Sequence, residues 1–156
     1  MIKISPANIS ELKNINEIIE ATILNWNLPE RVIRLSLPSY RYNEVDLQYY
    51  EIVVAKQEKQ IVAVASWQQA DAKDTPEKKT GLLLHGLYVQ AEKQNQGIGK
   101  TLLDLAEKTA HAKSLSGLLV KAQKDSVNFF IKAGMHEMQV SDPDKDYANR
   151  LWKDIK

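Results

Sequence analysis

No cysteine occurs among the 156 residues, which excludes disulfides, thiolate metal sites and a cysteine nucleophile, and suits a reducing compartment. Neither sign of charge is in excess. Lys and Arg number 21 and Asp and Glu 20, a formal net charge of +1, so no global field draws the chain toward nucleic acid or a membrane surface. No apolar run approaches the roughly 20 residues of a membrane span, and Met1-Ile2-Lys3-Ile4-Ser5-Pro6 is not followed by the apolar core of a signal peptide. His111 and His136 lack a histidine, cysteine or acid at metal-ligand spacing, so no metal is expected. These absences lead to the expectation of a soluble, cytoplasmic protein without nucleic-acid or membrane partners. The length fits one ordinary domain, read as residues 1–156.

What is present reads as alternating elements. Ile2 and Ile4 alternate with polar neighbours before Pro6, a short strand. Ser10 is read as the N-cap of a helix with Leu12, Ile15, Ile18, Ile19 and Ile23 on one face, ending near Asn25. Pro29 suits the first turn of a second helix carrying Val32, Ile33 and Leu35, which Pro38 is expected to stop. Residues 39–50 hold Tyr40, Tyr42, Tyr49 and Tyr50 without firm periodicity, and read as a surface loop or short helix or as an acceptor-binding wall. Residues 51–56 and 60–68 form a hairpin about a turn at Glu58-Lys59, and the charged residues 71–79 are expected to be a mobile connection.

The second half is organised around residues 94–101, Gln-Asn-Gln-Gly-Ile-Gly-Lys-Thr. An apolar run, Leu82-Leu83-Leu84-His85-Gly86-Leu87-Tyr88-Val89, precedes it, and Leu102, Leu103, Leu105, Ala106 and Ala110 follow at helical spacing. The glycines therefore sit at a strand-to-helix junction, where free N–H groups and the helix dipole favour an anion. Lys100 adds a positive charge. Beyond the helix come a strand at 117–122, continuously apolar over Leu118-Leu119-Val120, and a short helix from Ser126 to Lys132 ended by Gly134. Two last strands, 136–140 and 148–155, are joined by the turn-rich residues 141–146.

Two glycine-loop patterns compete for residues 94–101. Gly99-Lys100-Thr101 matches the end of a P-loop, but that motif needs a glycine where Gln94 stands, and the strand at 118–120 is followed by Lys121 in place of an aspartate. The other pattern, Gln/Arg-x-x-Gly-x-Gly/Ala, fits Gln94-Asn95-Gln96-Gly97-Ile98-Gly99 directly after Leu87-Tyr88-Val89. In this loop, and in Val127-Asn128-Phe129-Phe130-Ile131-Lys132-Ala133-Gly134-Met135 downstream, the chain resembles the GNAT family of N-acetyltransferases over roughly residues 80–140.

The resemblance implies a mixed α/β fold, a central sheet flanked by helices in the order β-α-α-β-β-β-α-β-α-β-β. It also implies acetyl-CoA as acyl donor and an amine as acceptor. The backbone amides of Asn95, Gln96, Gly97, Ile98, Gly99 and Lys100 would cradle the pyrophosphate, with Gln94 opening the loop and Thr101 closing it. Leu87, Tyr88 and Val89 would run beside the pantetheine arm, paired through the main chains of Leu87 and Val89. Gln123 stands where an asparagine often contacts the cofactor, and Phe130 where a tyrosine often protonates the departing thiolate. Phe130 has no hydroxyl, and Leu83 stands where the family's glutamate base is found, which leaves His85 or a water chain as the local base. The alternative reading is a CoA-binding module with weak or lost activity. Sheet edges of this fold could also pair two copies as a homodimer.

Overall fold

The computed structural model describes residues 2–138 and 149–155. Seven strands form one mixed sheet in the order β1-β2-β3-β4-β5-β7-β6, and the element order is the expected one with one short helix added. The chain divides into two compact units, residues 1–66 with 86–102, and residues 67–85 with 103–156.

In the first unit, β1 (Ile2–Pro6) pairs antiparallel with β2 (Glu51–Gln57), from Ile2↔Gln57 to Pro6↔Val53. Strand β2 turns into β3 (Gln60–Gln69) at Glu58 and Lys59, whose φ values of 53° and 69° give the two-residue hairpin expected there. Helix α1 (Leu12–Leu24) buries Ile15, Ile18, Ile19 and Ile23, the expected face. Its entry differs from expectation. A single 3-10 turn, Ile9–Glu11, precedes it, and Asn8 is the cap: the Asn8 N–H donates to the Glu11 carboxylate at 3.1 Å in a capping box, while the Ser10 hydroxyl donates to the Asn8 side chain. Glu11 is fixed in turn by Lys56 at 2.7 Å.

Helix α2 (Glu30–Tyr40) begins after Pro29 but runs through Pro38, so the expected stop is corrected. Pro38 forgoes one bond in the last turn, and the helix still closes beyond it, with Leu37 accepting from the Arg41 N–H at 3.2 Å. Of the expected apolar positions only Ile33 is buried, with Val32 and Leu35 exposed. Residues 39–50 include one short helix, α3 (Asp46–Tyr49), entered through reciprocal bonds between Asn43 and Asp46 at 2.8 and 3.0 Å. The isoleucines of α1 pack with Ile33, Tyr42, Ile52, Val54, Ile61, Val64 and Tyr88 in one core.

The second unit contains β5 (Gly117–Lys121), which pairs antiparallel with β7 (Arg150–Asp154), and β6 (His136–Glu137), which pairs with β7 beyond it. Strand β4 (Gly81–Val89) runs parallel to β5 over Gly81↔Gly117 to Leu84↔Val120. Helix α5 (Val127–Lys132) follows β5, as expected. Strand β6 covers the start of the expected 136–140, whose residues 139 and 140 lie outside the described residues, as does the turn at 141–146.

The charged residues 71–79, expected to be a mobile connection, make specific contacts. A 3-10 turn, Ala72–Asp74, brings the Asp74 carboxylate to Arg150 and Lys121, each at 3.4 Å, and Arg150 donates to the Asp74 carbonyl at 2.6 Å. Lys79 meets Asp154 at 2.5 Å. These partners are more than 40 residues away in the chain, so a local reading of the segment saw only charge.

Gly117 has no room for a side chain, since a Cβ there would collide with the Lys153 carbonyl and the Trp152 ring. A backbone carbonyl within a strand pair cannot yield cheaply. Gly117→Ala is therefore expected to lower the free energy of unfolding in urea by about 1–3 kcal/mol.

Candidate functional site

Strand β4 outlasts its parallel partner. The register with β5 ends at Leu84↔Val120, and residues 85–89 continue past it. Burial alternates along the strand: Leu82, Leu84, Gly86 and Tyr88 face inward, and Leu83, His85, Leu87 and Val89 form a half-buried row on the other face.

The chain then enters a compact turn. A 3-10 turn, Ala91–Lys93, follows Gln90, whose N–H donates to the Val62 carbonyl at 2.9 Å. The Gln94 side-chain amide donates back to the Val89 carbonyl at 3.1 Å, clipping the turn to the end of β4. Asn95 has φ 64° and Gly97 φ 84°, so two left-handed residues swing the chain into helix α4 (Ile98–Ala112). An L side chain would be strained at Gly97, yet nothing lies within 4 Å of where its Cβ would stand. Conformation demands the glycine, and the space above it is open to a ligand.

Thr101 closes the helix entry, its N–H and hydroxyl both donating to the Gly97 carbonyl, at 3.0 and 2.9 Å. The amides of Ile98 and Gly99 precede that first closing bond and belong to the turn in which an α-helix has no carbonyl to offer. Ile98 is buried as the helix's anchor, while Gln94, Asn95, Gln96, Gly97, Lys100 and Thr101 are exposed. This is an anion-binding geometry of backbone origin.

Leu87 through Thr101 fall in the first compact unit, and His85, Gln123 and Phe130 in the second. His85 is half-buried on the outward row of β4. Gln123 follows β5, and its carboxamide oxygen accepts from the Asp125 N–H at 2.7 Å, capping a 3-10 turn ahead of α5. Its amide nitrogen and the second lone pair of that oxygen could still meet a cofactor. Phe130 is 4 % exposed, stacked edge to face on Phe129 with ring centres 5.1 Å apart, and its carbonyl accepts from the Met135 N–H at 3.0 Å.

Sequence patterns single out the tyrosines of residues 39–50, but not the partners that Tyr42 finds in β3 and β4. Tyr42 is buried, its backbone clamped by Asn16, which donates to the Tyr42 carbonyl and accepts from its N–H, each at 2.8 Å. Its hydroxyl makes a short hydrogen bond with that of fully buried Ser66. Tyr88 is buried beside it, and both rings crowd Gly86: a Cβ there would stand 2.6 Å from a Tyr88 ring carbon and 2.9 Å from the Tyr42 hydroxyl. The available signals were a lone serine in the apolar run of β3 and a glycine inside β4. Burial raises the Tyr42 phenol well above its ordinary value, a shift the Ser66 bond partly offsets and Tyr50 and Asp46 reinforce. Burial, then Tyr42 and Tyr40, raise Tyr88 in the same way.

Among the described residues, no group of three or more His, Asp or Glu is gathered as a metal ion would require, and no helix is long and apolar enough to cross a membrane.

Comparison with known proteins gives this geometry its family. Residues 36–152, three quarters of the chain, match the family described as Acetyltransferase (GNAT) domain. The chain belongs to the GNAT acetyltransferase family. Its fold is similar to that of the PaiA N-acetyltransferase of Thermoplasma acidophilum, solved in complex with coenzyme A, at 19 % identity, 97 % coverage of each chain and a TM-score of 0.72. A GNAT-family acetyltransferase from Staphylococcus aureus Mu50 is similar at 18 % identity over 100 % of both chains, with a TM-score of 0.73. A GCN5-related N-acetyltransferase from Rhodopseudomonas palustris is similar at 21 % identity, covering 98 % of this chain and 95 % of its own, with a TM-score of 0.74. No curated protein matches the chain significantly.

The buried phenols set an alkaline limit. Unfolded tyrosine ionises near 10, while Tyr42 and Tyr88 keep their protons in the fold, so their contribution to stability is whole below that pH and is lost as pH rises above it. Each is expected to remove up to about 1.4 kcal/mol per pH unit from the urea unfolding free energy. Tyr42→Phe should flatten the slope between pH 10 and 11 by about half.

Proposed function

We propose that the protein is an N-acetyltransferase that takes its acetyl group from acetyl-CoA and delivers it to a primary amine, of a small molecule or exposed on a protein. The observation that carries this reading is the turn into α4: Gly97 at φ 84° under open space, opening a helix at the end of a strand that outlasts its parallel partner. In this reading the amides of Asn95 to Lys100 hold the pyrophosphate. Leu87 and Val89 pair with the pantetheine through their main chains, which sets its sulfur on the amino-terminal side of Leu87. Gln123 offers its amide nitrogen, and Phe130 supplies packing. The chain works as one domain, a view supported by fold relatives that it covers almost from end to end, and it works in the cytoplasm, where acetyl-CoA is at hand.

The chemistry asks little covalent help. The amine nitrogen, having lost its ammonium proton to His85, attacks the thioester carbonyl carbon; the carbon–sulfur bond then breaks with its electron pair going to sulfur, and the second proton shed by the acylated nitrogen passes to that thiolate, directly or through solvent, giving an N-acetyl amine and CoA. Leu83 and Phe130 favour a second reading, a CoA-binding module without turnover, because neither can exchange a proton.

Calorimetric titration is expected to show acetyl-CoA bound in preference to ATP-Mg, with binding abolished in folded Gly97→Trp. Over a panel of polyamines, amino sugars and amino-terminal peptides, at least one acceptor should release free thiol. His85→Ala should slow that release by about 100-fold or more while CoA binding persists. Binding without thiol release across the panel would select the module, and failure to bind CoA would defeat both readings.

A further inference from the structure

Helix α2 exposes apolar residues that an amphipathic helix normally buries. Ile33 is its one buried residue, while Val32 is 43 % exposed and Leu35 67 %. Leu24 and Leu28, just before it in the chain, are exposed as well, so four of the nine large apolar side chains exposed among the described residues lie within residues 24–35. Such a concentration differs from the scattered single exposures that need no explanation. Val32 and Leu35, three residues apart, share one face of α2, and Arg31 and Arg34, also three apart, run beside it. Among the described residues neither of these guanidinium groups meets a carboxylate, whereas Arg41 is paired with Glu20 at 3.1 Å. We propose that this face docks an acidic amphipathic helix of another protein, its apolar ridge on Val32 and Leu35 and its carboxylates on Arg31 and Arg34.

Charge selects that occupant. A second copy would have to use the same face about a two-fold axis, bringing Arg31 and Arg34 against their own images with Glu30 the only acid on α2 to offset them. An anionic bilayer is held by clusters of about four to eight basic residues, and α2 supplies Arg31 and Arg34 alone. An acidic helix answers both halves of the face at once, since carboxylates three or four residues apart flank an apolar stripe of the same spacing. At about 1.5 Å per residue α2 is about 16 Å long. The contact therefore covers about three helical turns, less than a standard stable complex buries, and the docking is weak and reversible. It engages residues of the first compact unit alone and is independent of the acetyl-CoA reading.

The probe is a designed helical peptide of about five turns, with leucines along one face and glutamates beside them, and its counterpart with every glutamate replaced by lysine. Calorimetric titration into the full chain at low salt is expected to show the glutamate peptide binding at least about tenfold more tightly than the lysine peptide. Arg31→Glu/Arg34→Glu should weaken that binding by about tenfold or more, and Leu35→Asp likewise. The charge-matched reversal Lys59→Glu/Lys108→Glu, at exposed positions outside α2, should leave it within about twofold. Bound peptide should also slow amide hydrogen exchange in α2. Every substituted side chain is exposed, so the fold carries the changes, and circular dichroism of each variant checks it. Equal binding of both peptides, equal losses from the two charge reversals, or no binding of either peptide would overturn the proposal. So would binding of phosphatidylglycerol vesicles that depends on Arg31 and Arg34 in the absence of peptide binding, which would assign the face to a bilayer. A wild-type dimer in sedimentation that Leu35→Asp splits would assign the face to a second copy and overturn it equally.

Discussion

Strand β4 is the constraint on which the rest depends. Nine residues long, it gives its first four to a parallel pairing with β5 and carries the remainder past the end of that register. A parallel strand that runs on has backbone groups to satisfy by other means. In the described residues that continuation leads straight into the turn at Gly97, where the chain reverses through two left-handed residues and offers the open end of a helix. Strand edge and helix terminus thus follow each other within a dozen residues, and both are made of main chain. A ligand recognised there depends on the sequence mainly through the glycine that makes the turn and the apolar residues that fix its flanks.

The inward row of the same strand imposes a second condition. Leu82 and Leu84 fill the interior in the ordinary way, but Gly86 yields its volume to Tyr42 and Tyr88. Burying phenols costs free energy unless their hydroxyls find partners. For Tyr42 the fold supplies Ser66, a fully buried hydroxyl amid the apolar residues of β3. A core optimised for packing alone would place alanine or valine at that position. The polar pair, the two tyrosines and the glycine make sense together, as an arrangement that carries a hydrogen-bonding group to the backbone of β4 at the cost of some apolar burial.

Much of this was legible beforehand, and what was missed has a common cause. The hairpin at Glu58-Lys59, the buried face of α1, the apolar run of β4 and the turn into α4 are local patterns, set by periodicity and by glycine within a few residues. Family resemblance rested on the same local patterns. Asn8 and Ser10 are both good caps by residue type, and only the Glu11 side chain, reaching back to the Asn8 amide, decides between them. Sequence alone makes Pro38 a stop, because its place in the last turn of α2 depends on where that helix ends. The charged residues 71–79 and the pair Tyr42–Ser66 depend on partners 24 or more positions away. Composition assigns such residues to solvent or to an undifferentiated core, since nothing nearby in the chain announces the partner.

Donor recognition and catalysis therefore rest on different kinds of residue. The groups that would hold CoA are backbone amides, which survive any exchange of side chains that preserves the turn. The groups that would move protons or stabilise charge are side chains, and the resemblance would set apolar Leu83 and Phe130 in two such places. An apolar side chain in a proton-transfer position alters the rate without touching the affinity for the donor. It also shifts the demand for polar groups to neighbouring positions that face the same reacting atoms. His85, on the half-buried row of β4, is the side chain that the proposed reading sets to that task.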